Sequence, residues 1–518
     1  MKIADAGTFD ATAAGRALPR PVPLVRVHHV IVGLAALAAV VLHLVAFDRF
    51  PTPWVDEAHF LVPALRLARD GALGVPELNA PTGIFWMPHG YYAVLAAAFS
   101  LLPDTLTVAR ATSLLFTLGT AATFMLIARR LEVPMLGGAL VASAWLLAPH
   151  VVIAGNNARM EALVILLGVA AVALLACGHG APAVALAGLA TVVHPAGFLV
   201  AAAVFAAAAL ARTDLRPRGL ASWLTVGFAA VALTLEAVHV AAHWHVAVDH
   251  MSFQIMRKRN NNPVLFDLAR APFLLPAAVA LPLVWKARAR LGAGAPLIAA
   301  LVGLALALGA VQGGGQEMWY GVYAEPTSLA LLALATLGAL SLAPSFRVWE
   351  RRAAWALVSL LPALSAAVWW ANPPTQGFGL FDVPRGEWSA YVSGALSSLG
   401  RLDNELDRPV VVAVDRLSPL TPALIARTWE HLEFVQETPV SPIEGQRDAS
   451  GRPIDYWLTT PARLRASRLI HRIPAPPGAS FPVITYSSSH GNFELRLYDA
   501  PAPRADDDRL PSAARRSR

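Results

Sequence analysis

Residues 30–57 read VIVGLAALAAVVLHLVAFDRFPTPWVDE, an apolar run followed, after residues 48–55, by an acidic pair. Residues 31–46 contain no Lys, Arg, Asp or Glu, and similar uncharged runs recur at residues 196–211 and 297–311. Such stretches fit the hydrocarbon core of a bilayer, whereas they cannot all fit inside one water-soluble core. The pattern predicts an α-helical polytopic membrane protein.

The composition agrees with this prediction. The chain has 518 residues, of which 56% are hydrophobic and 14% are charged, whereas soluble proteins carry about 25% charged residues. The net charge of +7 comes from Arg residues clustered between the apolar runs, where they set topology rather than bind nucleic acid. The single cysteine, Cys177, excludes an intramolecular disulfide.

Basic residues predict the orientation. Arg16, Arg20 and Arg26 precede the first apolar run, which places the N-terminus in the cytoplasm and makes the first helix an uncleaved anchor. Alternation of basic clusters predicts about eleven transmembrane helices in the inner (plasma) membrane. The predicted spans are residues 30–47, 106–128, 136–154, 162–177, 183–193, 196–211, 223–240, 273–285, 297–311, 322–342 and 354–370.

The chain divides into four predicted segments. Residues 1–27 are cytoplasmic, and residues 28–371 form the transmembrane domain, whose first outer loop (48–105) includes interfacial helices. Residues 372–501 are richer in charge and proline and contain a valine-rich strand, which predicts an extracytoplasmic soluble α/β domain. Residues 502–518 have the composition of a disordered tail.

Two acidic sites follow predicted outer helix ends. Asp56 and Glu57 suit a general base or a cation site, and they equally suit the N-terminus of a helix. Arg159 can clamp a phosphate while Glu161 completes an acidic site with Asp56, or both can form a local ion pair at a capped helix start. The sequence indicates no certain cofactor. Asp56 and Glu161 are candidate ligands for a divalent cation, Mg²⁺ or Mn²⁺, or serve as base and orienting acid.

A second set of residues suits a lipid-linked phosphate. Arg257, Lys258 and Arg259 lie with His250 in a predicted loop over residues 243–270, on the side where the positive-inside rule disfavours basic clusters. Such a loop can hold a lipid-linked phosphate or bulk anionic headgroups.

Two further features of the sequence are weaker indications of a site. Glu317, Tyr320 and Tyr323 suit a sugar site, although interfacial tyrosines are more often membrane anchors. His194 precedes Pro195 at a predicted helix break, and a lone histidine there is more often structural.

The order of several motifs resembles the GT-C membrane glycosyltransferases, in the branch of the protein O-mannosyltransferases and the aminoarabinose transferases acting on lipid A. The resemblance covers roughly the first 340 residues. Its motifs are Trp54-Val-Asp56-Glu57-Ala, Pro88-His89-Gly-Tyr91-Tyr92, Ala109-Arg110, Ala128-Arg129-Arg130-Leu, Ala158-Arg159-Met-Glu161-Ala-Leu, Gly188 to Pro195 and Tyr320 to Pro326.

The resemblance implies a catalytic role for Asp56, with Glu57 beside it and Glu161 as the second acid, where relatives often carry Asp. It also implies that His89 and His194 contact the donor phosphate, at positions where many relatives carry Lys.

The implied activity is transfer of a hexosyl or pentosyl group from a polyprenyl-phosphate sugar to an envelope lipid, polysaccharide or protein, at the outer face of the membrane and with inversion. The alternatives from the residues alone are a transporter or flippase of an envelope precursor and a non-catalytic envelope-assembly subunit.

Overall fold

In the part of the chain that the computed structural model describes, α-helices dominate and one mixed sheet is present. The helices in chain order are α1 (Pro23–Ala46), α2 (Val55–Asp70), α3 (Gly90–Leu101), α4 (Leu106–Arg130), α5 (Met135–Leu146), α6 (Pro149–Gly155), α7 (Glu161–Ala176), α8 (Gly180–Thr191), α9 (Gly197–Leu210), α10 (Leu220–Ala242), α11 (Trp244–Asn261) and α12 (Ser328–Leu342). The structure describes residues 23–47, 55–210, 212–261, 300–305, 307–308, 326–342, 347–356, 358, 361, 393, 396–397, 399–414, 424–425, 427–438, 440–441, 443, 447–459, 469–473 and 495–499.

The described helices are those of a membrane protein. Helices α4 and α10 are long and apolar enough to cross a bilayer, and the pair α5 and α6 becomes a third candidate if it is taken as one bent span. Helix α10 leaves large apolar side chains such as Trp223 and Phe228 exposed, as expected where a helix faces lipid. The total of about eleven spans stays a prediction, because residues 273–285 and several others lie outside the described part of the chain.

One predicted span is bent, and one local prediction is wrong. Residues 136–154 were predicted to form one span, and in the structure α5 and α6 meet at an angle of 71° because Pro149 ends the ladder of one helix and begins the next. Residues 244–261 were expected to be loop and instead form α11. The predicted interruption at His194 and Pro195 does separate α8 from α9.

Close backbone contact fixes the start of α3. The Gly90 N–H donates to the Val192 carbonyl at 2.7 Å, and a Cβ at residue 90 would stand only 2.5 Å from that oxygen. Only glycine permits this approach. The α2–α3 connection (residues 71–89) is thereby held against the turn between α8 and α9.

The C-terminal part contains a five-stranded sheet. Its strands are β1 (Val410–Val414), β2 (Leu432–Gln436), β3 (Tyr456–Thr459), β4 (Leu469–Ile473) and β5 (Leu495–Asp499). Their order is β2-β1-β3-β5-β4; β1 pairs in parallel with β2 and β3, whereas β5 pairs antiparallel with β3 and β4. Every side chain of β1 is buried, as expected for a strand covered on both faces. The domain boundaries stay predictions.

Candidate active site

Arg159 joins two acids that are far apart in the sequence. Its Nη1 donates to Asp56 Oδ2 at 2.7 Å, and its Nη2 donates to Glu161 Oε1 at 2.8 Å. Asp56 lies in the first turn of α2 and Glu161 begins α7, so the guanidinium connects two helix N-termini. The structure thus brings together three of the predicted site residues.

Glu57 forms a second, fully buried pair. Arg110, inside α4, donates to its two oxygens at 2.9 and 2.8 Å, and the Ala158 N–H donates to Oε1 at 2.9 Å. The Asn157 carboxamide, with its nitrogen turned toward Glu57, donates at 2.6 Å as well. A bidentate pair with added backbone donors satisfies a charge away from water. Glu57 therefore joins α2, α4 and the turn before α7.

The carboxylates of Asp56, Glu57 and Glu161 differ in their exposure to solvent. The Asp56 side chain is 27% exposed, whereas Glu57 and Glu161 are 0% and 1% exposed. Burial pushes the pKa of Asp56 upward, but the contact with His59 and the charge of Arg159 outweigh it and hold that pKa well below its usual value. Asp56 is thus the ionised and reachable acid of the cluster.

A layer of polar and aromatic side chains holds Arg159 in place. The Ser113 hydroxyl donates to the Arg159 carbonyl at 3.2 Å and pairs with the Tyr91 hydroxyl at 2.9 Å. The guanidinium lies 5.5 Å from the centre of the Phe60 ring, a cation–π distance. The backbone and side chain of Arg159 are therefore fixed from both sides.

A histidine-rich group lies at the other end of the α2–α3 connection. The His89 N–H and Nδ1 both contact the carboxylate of Glu236 from α10, at 3.1 to 3.2 Å. The ring of His239 lies 4.6 Å from that of His89. On α11, His250 Nδ1 accepts the Phe85 N–H at 3.2 Å, and burial lowers the pKa of His250, opposed by the nearby Asp249. Both predicted phosphate ligands, His89 and His250, therefore border one loop.

The remaining predicted donor ligands are placed as follows. Buried His194 accepts the Ala196 N–H at Nδ1, at 3.0 Å, and so stabilises the turn before α9. Arg257, Lys258 and Arg259 occupy the C-terminal part of α11. Glu317, Tyr320 and Tyr323 lie outside the described residues.

The position predicted for a divalent cation is occupied by the guanidinium of Arg159. Asp56 and Glu161 were candidate ligands for a cation, or a base with its orienting acid, and in this structure Arg159 stands between them. Among the residues that the structure describes, no three His, Cys, Asp or Glu side chains converge in a metal-binding arrangement. Mg²⁺ or Mn²⁺ binding stays a prediction, and it requires displacement of Arg159.

Arg110 and Glu236 are partners that were not assigned to the site from the sequence. Both are charged residues within otherwise apolar helices, and such residues require a partner at membrane depth. That signal was present in the sequence. His59, in contrast, follows Asp56 by three residues, and no feature of the sequence indicated that it belongs to the site.

Comparison with known proteins gives the fold. No family model matches the chain, and no curated protein matches it in sequence. Solved structures do match. ArnT from Cupriavidus metallidurans in the apo state matches with a TM-score of 0.51 and 13% identity, over 92% of this chain and 100% of that one.

Two further structures agree. ArnT bound to undecaprenyl phosphate gives a TM-score of 0.50 and 14% identity, over 92% and 99% of the two chains. The Archaeoglobus fulgidus oligosaccharyltransferase tethered with an acceptor peptide containing the NVT sequon gives 0.50 and 12%, over 84% and 69%. The chain has the GT-C fold. The predicted resemblance to GT-C proteins is confirmed at the level of fold, and the chemistry rests on the side chains described above.

Proposed function

We propose that the chain is a membrane glycosyltransferase that moves a sugar from a polyprenyl-phosphate donor to a hydroxyl of a cell-envelope acceptor. The observation that supports this most directly is Asp56, an ionised and partly exposed carboxylate beside a buried pair of Arg159 and Glu161. The GT-C fold supports it further, since ArnT with this fold is bound to undecaprenyl phosphate. The acceptor is a lipid, a polysaccharide or a protein.

In the proposed reaction Asp56 acts as the general base. The acceptor oxygen attacks the anomeric carbon, its proton passes to the Asp56 carboxylate, and the bond between that carbon and the phosphate oxygen breaks with inversion. The products are the glycosylated acceptor and the polyprenyl phosphate. Asp56 alone among the three acids is open to an incoming hydroxyl.

Arg159 and Glu161 position the base in this scheme. The guanidinium fixes one Asp56 oxygen, Oδ2, and leaves Oδ1 beside His59 at 3.7 Å. Glu161 holds the other edge of the guanidinium. Glu57 and Arg110 contribute by joining the helices that carry this group, since neither has access to a substrate in this conformation.

The leaving phosphate requires cationic or hydrogen-bonding groups. Arg257, Lys258 and Arg259 follow His250 on the same helix by seven to nine residues, a distance of roughly 10–14 Å along its axis. His250 ties that helix to the α2–α3 connection through Phe85. We assign the phosphate to this end of α11, at the outer face of the membrane.

A transfer assay tests the proposal. Membranes containing wild-type, Asp56→Asn or Glu161→Gln protein are supplied with radiolabelled polyprenyl-phosphate sugars and envelope extract. We expect Asp56→Asn to lower the rate by about 10²–10⁴-fold, the usual contribution of a general base. Asp70→Asn is the matched control, because Asp70 lies on the same helix in an exposed pair with Arg66. Equal rates in wild type and Asp56→Asn would show that Asp56 is not the base.

Orientation is tested separately. A reporter enzyme fused after residue 372 is expected to be active only outside the cytoplasm, as the predicted topology requires. Cytoplasmic activity of that fusion would contradict the outer-face assignment.

A further inference from the structure

Several buried polar atoms without partners lie together beside Asp56. Within the described residues, no hydrogen-bond partner is found for His59 Nε2, Trp86 Nε1, His89 Nε2, Tyr92 Oη and His239 Nε2. These five residues are called the ring cluster. Ring centres lie 6.0 Å apart for His59 and Trp86, 5.7 Å for His89 and Tyr92, and 4.6 Å for His89 and His239.

Phe60 makes the ring cluster continuous and joins it to the carboxylate site. Its ring centre lies 6.3 Å from that of Trp86 and 6.4 Å from that of Tyr92, and Arg159 lies over its face. His59 Nδ1 is 3.7 Å from Asp56 Oδ1. The ring cluster therefore lies directly beside the proposed base, Asp56.

This concentration of unpaired groups requires an explanation. Folded proteins pair most of their buried polar atoms, and each unpaired one is destabilising. His59 and Tyr92 are each only 1% exposed, so neither side chain is well placed to use bulk water instead. Groups that are costly in the free protein and adjacent to a proposed reaction centre are expected where a ligand supplies the missing bonds.

The chemistry of the unpaired atoms indicates the ligand. An indole N–H only donates, a tyrosine hydroxyl donates and accepts, and each free imidazole nitrogen does one or the other. Sugar hydroxyls match such a mixture because they also donate and accept. The faces of the surrounding aromatic rings suit the apolar face of a sugar ring.

The charged residues beside the ring cluster limit the kind of sugar that it can bind. The ring cluster is bordered by two carboxylates, Asp56 next to His59 and Glu236 next to His89. The neighbouring cation, Arg159, is already paired with Asp56 and Glu161. A sugar that carries a carboxylate would meet like charges at both ends of the cluster.

We infer that the ring cluster binds the sugar of the donor lipid, and that this sugar carries no acidic group. The inference rests on the proposed glycosyltransferase function and adds the chemical class of the group transferred. Binding separates rings that touch in this structure. His239, which is half-buried, forms the edge by which the sugar enters.

Tyr92→Phe tests the inference, since it removes one unpaired hydroxyl and retains the ring. Full-length protein in detergent is titrated with a short polyprenyl phosphate and with the same lipid bearing mannose. We expect the Kd for the mannosyl lipid to rise by roughly five- to tenfold, the effect of one hydrogen bond, and the Kd for the sugar-free lipid to stay unchanged. A Kd that is unchanged for both lipids, or raised equally for both, would overturn the inference.

Thermal stability provides a second readout. Tyr92→Phe is expected to raise Tm, because a buried hydroxyl without a partner is removed. The control is Tyr91→Phe in the adjacent position, which deletes a hydroxyl paired with Ser113 at 2.9 Å and is expected to lower Tm. A lower Tm in Tyr92→Phe would show that its hydroxyl is paired in the folded protein, contrary to the inference.

The sugar class is tested with the lipid that bears glucuronic acid. Wild-type protein is expected to bind it at least about tenfold more weakly than the mannosyl lipid, since the two bordering carboxylates repel it. Equal affinities would overturn the assignment to sugars without an acidic group. If wild type binds none of the three lipids, the proposed function itself fails, and the ring cluster has no donor sugar to bind.

Discussion

Arg159 donates from Nη1 to Asp56 Oδ2 at 2.7 Å, across a separation of 103 residues in the sequence. Through this bond the start of α2 and the turn before α7 form one unit. The same guanidinium binds Glu161, so its charge is shared by a reachable and a buried carboxylate. Changing Arg159 should therefore alter both the position and the protonation of Asp56.

The first prediction concerns pH. The low pKa of Asp56 keeps it ionised above about pH 5, so wild-type kcat should show no loss from Asp56 protonation between about pH 5 and 8. In Arg159→Gln burial still raises that pKa while one opposing charge is gone. We expect activity to fall as the pH decreases through a midpoint that is higher than in wild type. The measurement is kcat against pH.

Arg159→Lys is the matched control, because it retains the charge and loses the bidentate geometry. Its midpoint should stay close to that of wild type even if its rate is lower. An identical midpoint in Arg159→Gln and wild type would contradict the role assigned to Arg159.

The second prediction concerns stability. Arg110→Ala leaves the fully buried Glu57 carboxylate without its bidentate partner, and an uncompensated buried charge costs about 3–5 kcal/mol. We expect a large decrease in Tm of the purified protein. The measurement is thermal unfolding in detergent.

The double variant Glu57→Gln with Arg110→Leu shows how much of the lost stability comes from the unpaired charge and how much from lost packing. It removes both charges and should recover a substantial part of the lost stability, because no ion remains unpaired. A double variant as unstable as the sum of the two single variants would indicate that the two residues act independently.

Much of the site was predictable because charge is costly in an apolar chain. Asp56, Arg159 and Glu161 stand at the ends of apolar runs in the sequence, and the structure places them in contact. Their pairing through one guanidinium was not predictable, because spacing along the chain does not determine which side chains meet between helices.

Other features depended on contacts over long distances. Residues 244–261 contain histidine and basic residues without a strong apolar period, so their helix was not recognised. The ring cluster combines α2, the α2–α3 connection, α3 and α10, and no local pattern links these elements. The bend between α5 and α6 was signalled by Pro149, which has no N–H to donate.

A third prediction concerns cations. The Arg159 guanidinium stands between Asp56 and Glu161, where a divalent ion would have to bind. We therefore expect the transfer rate to change less than about twofold after treatment with EDTA, since a bound guanidinium already supplies the positive charge. Rates are measured on membranes with EDTA, and with Mg²⁺ or Mn²⁺ restored. Loss of activity that Mn²⁺ restores would support the cation site instead.

The last prediction concerns Asn79, which joins the α2–α3 connection to the segment between β2 and β3 of the sheet. Its Nδ2 donates to the Ser441 carbonyl at 2.9 Å, and its Oδ1 accepts the Ala449 N–H. It has a φ of 52°, in the left-handed region that Gly and Asn tolerate. Asn79→Gly deletes both hydrogen bonds without backbone strain, so we expect faster proteolysis of the sheet region with a moderate decrease in Tm.

Asn79→Ala deletes the same bonds and adds the cost of a left-handed alanine, about 1 kcal/mol. In Asn79→Ala the sheet should be as accessible to protease as in Asn79→Gly. The Tm of Asn79→Ala should be lower than that of Asn79→Gly, because the alanine adds backbone strain in the α2–α3 connection. Both variants are compared with wild type by limited proteolysis and thermal unfolding. If Asn79→Gly is as protected as wild type, the two side-chain bonds do not hold the sheet against the connection. If the two variants have equal Tm, residue 79 does not require the left-handed conformation.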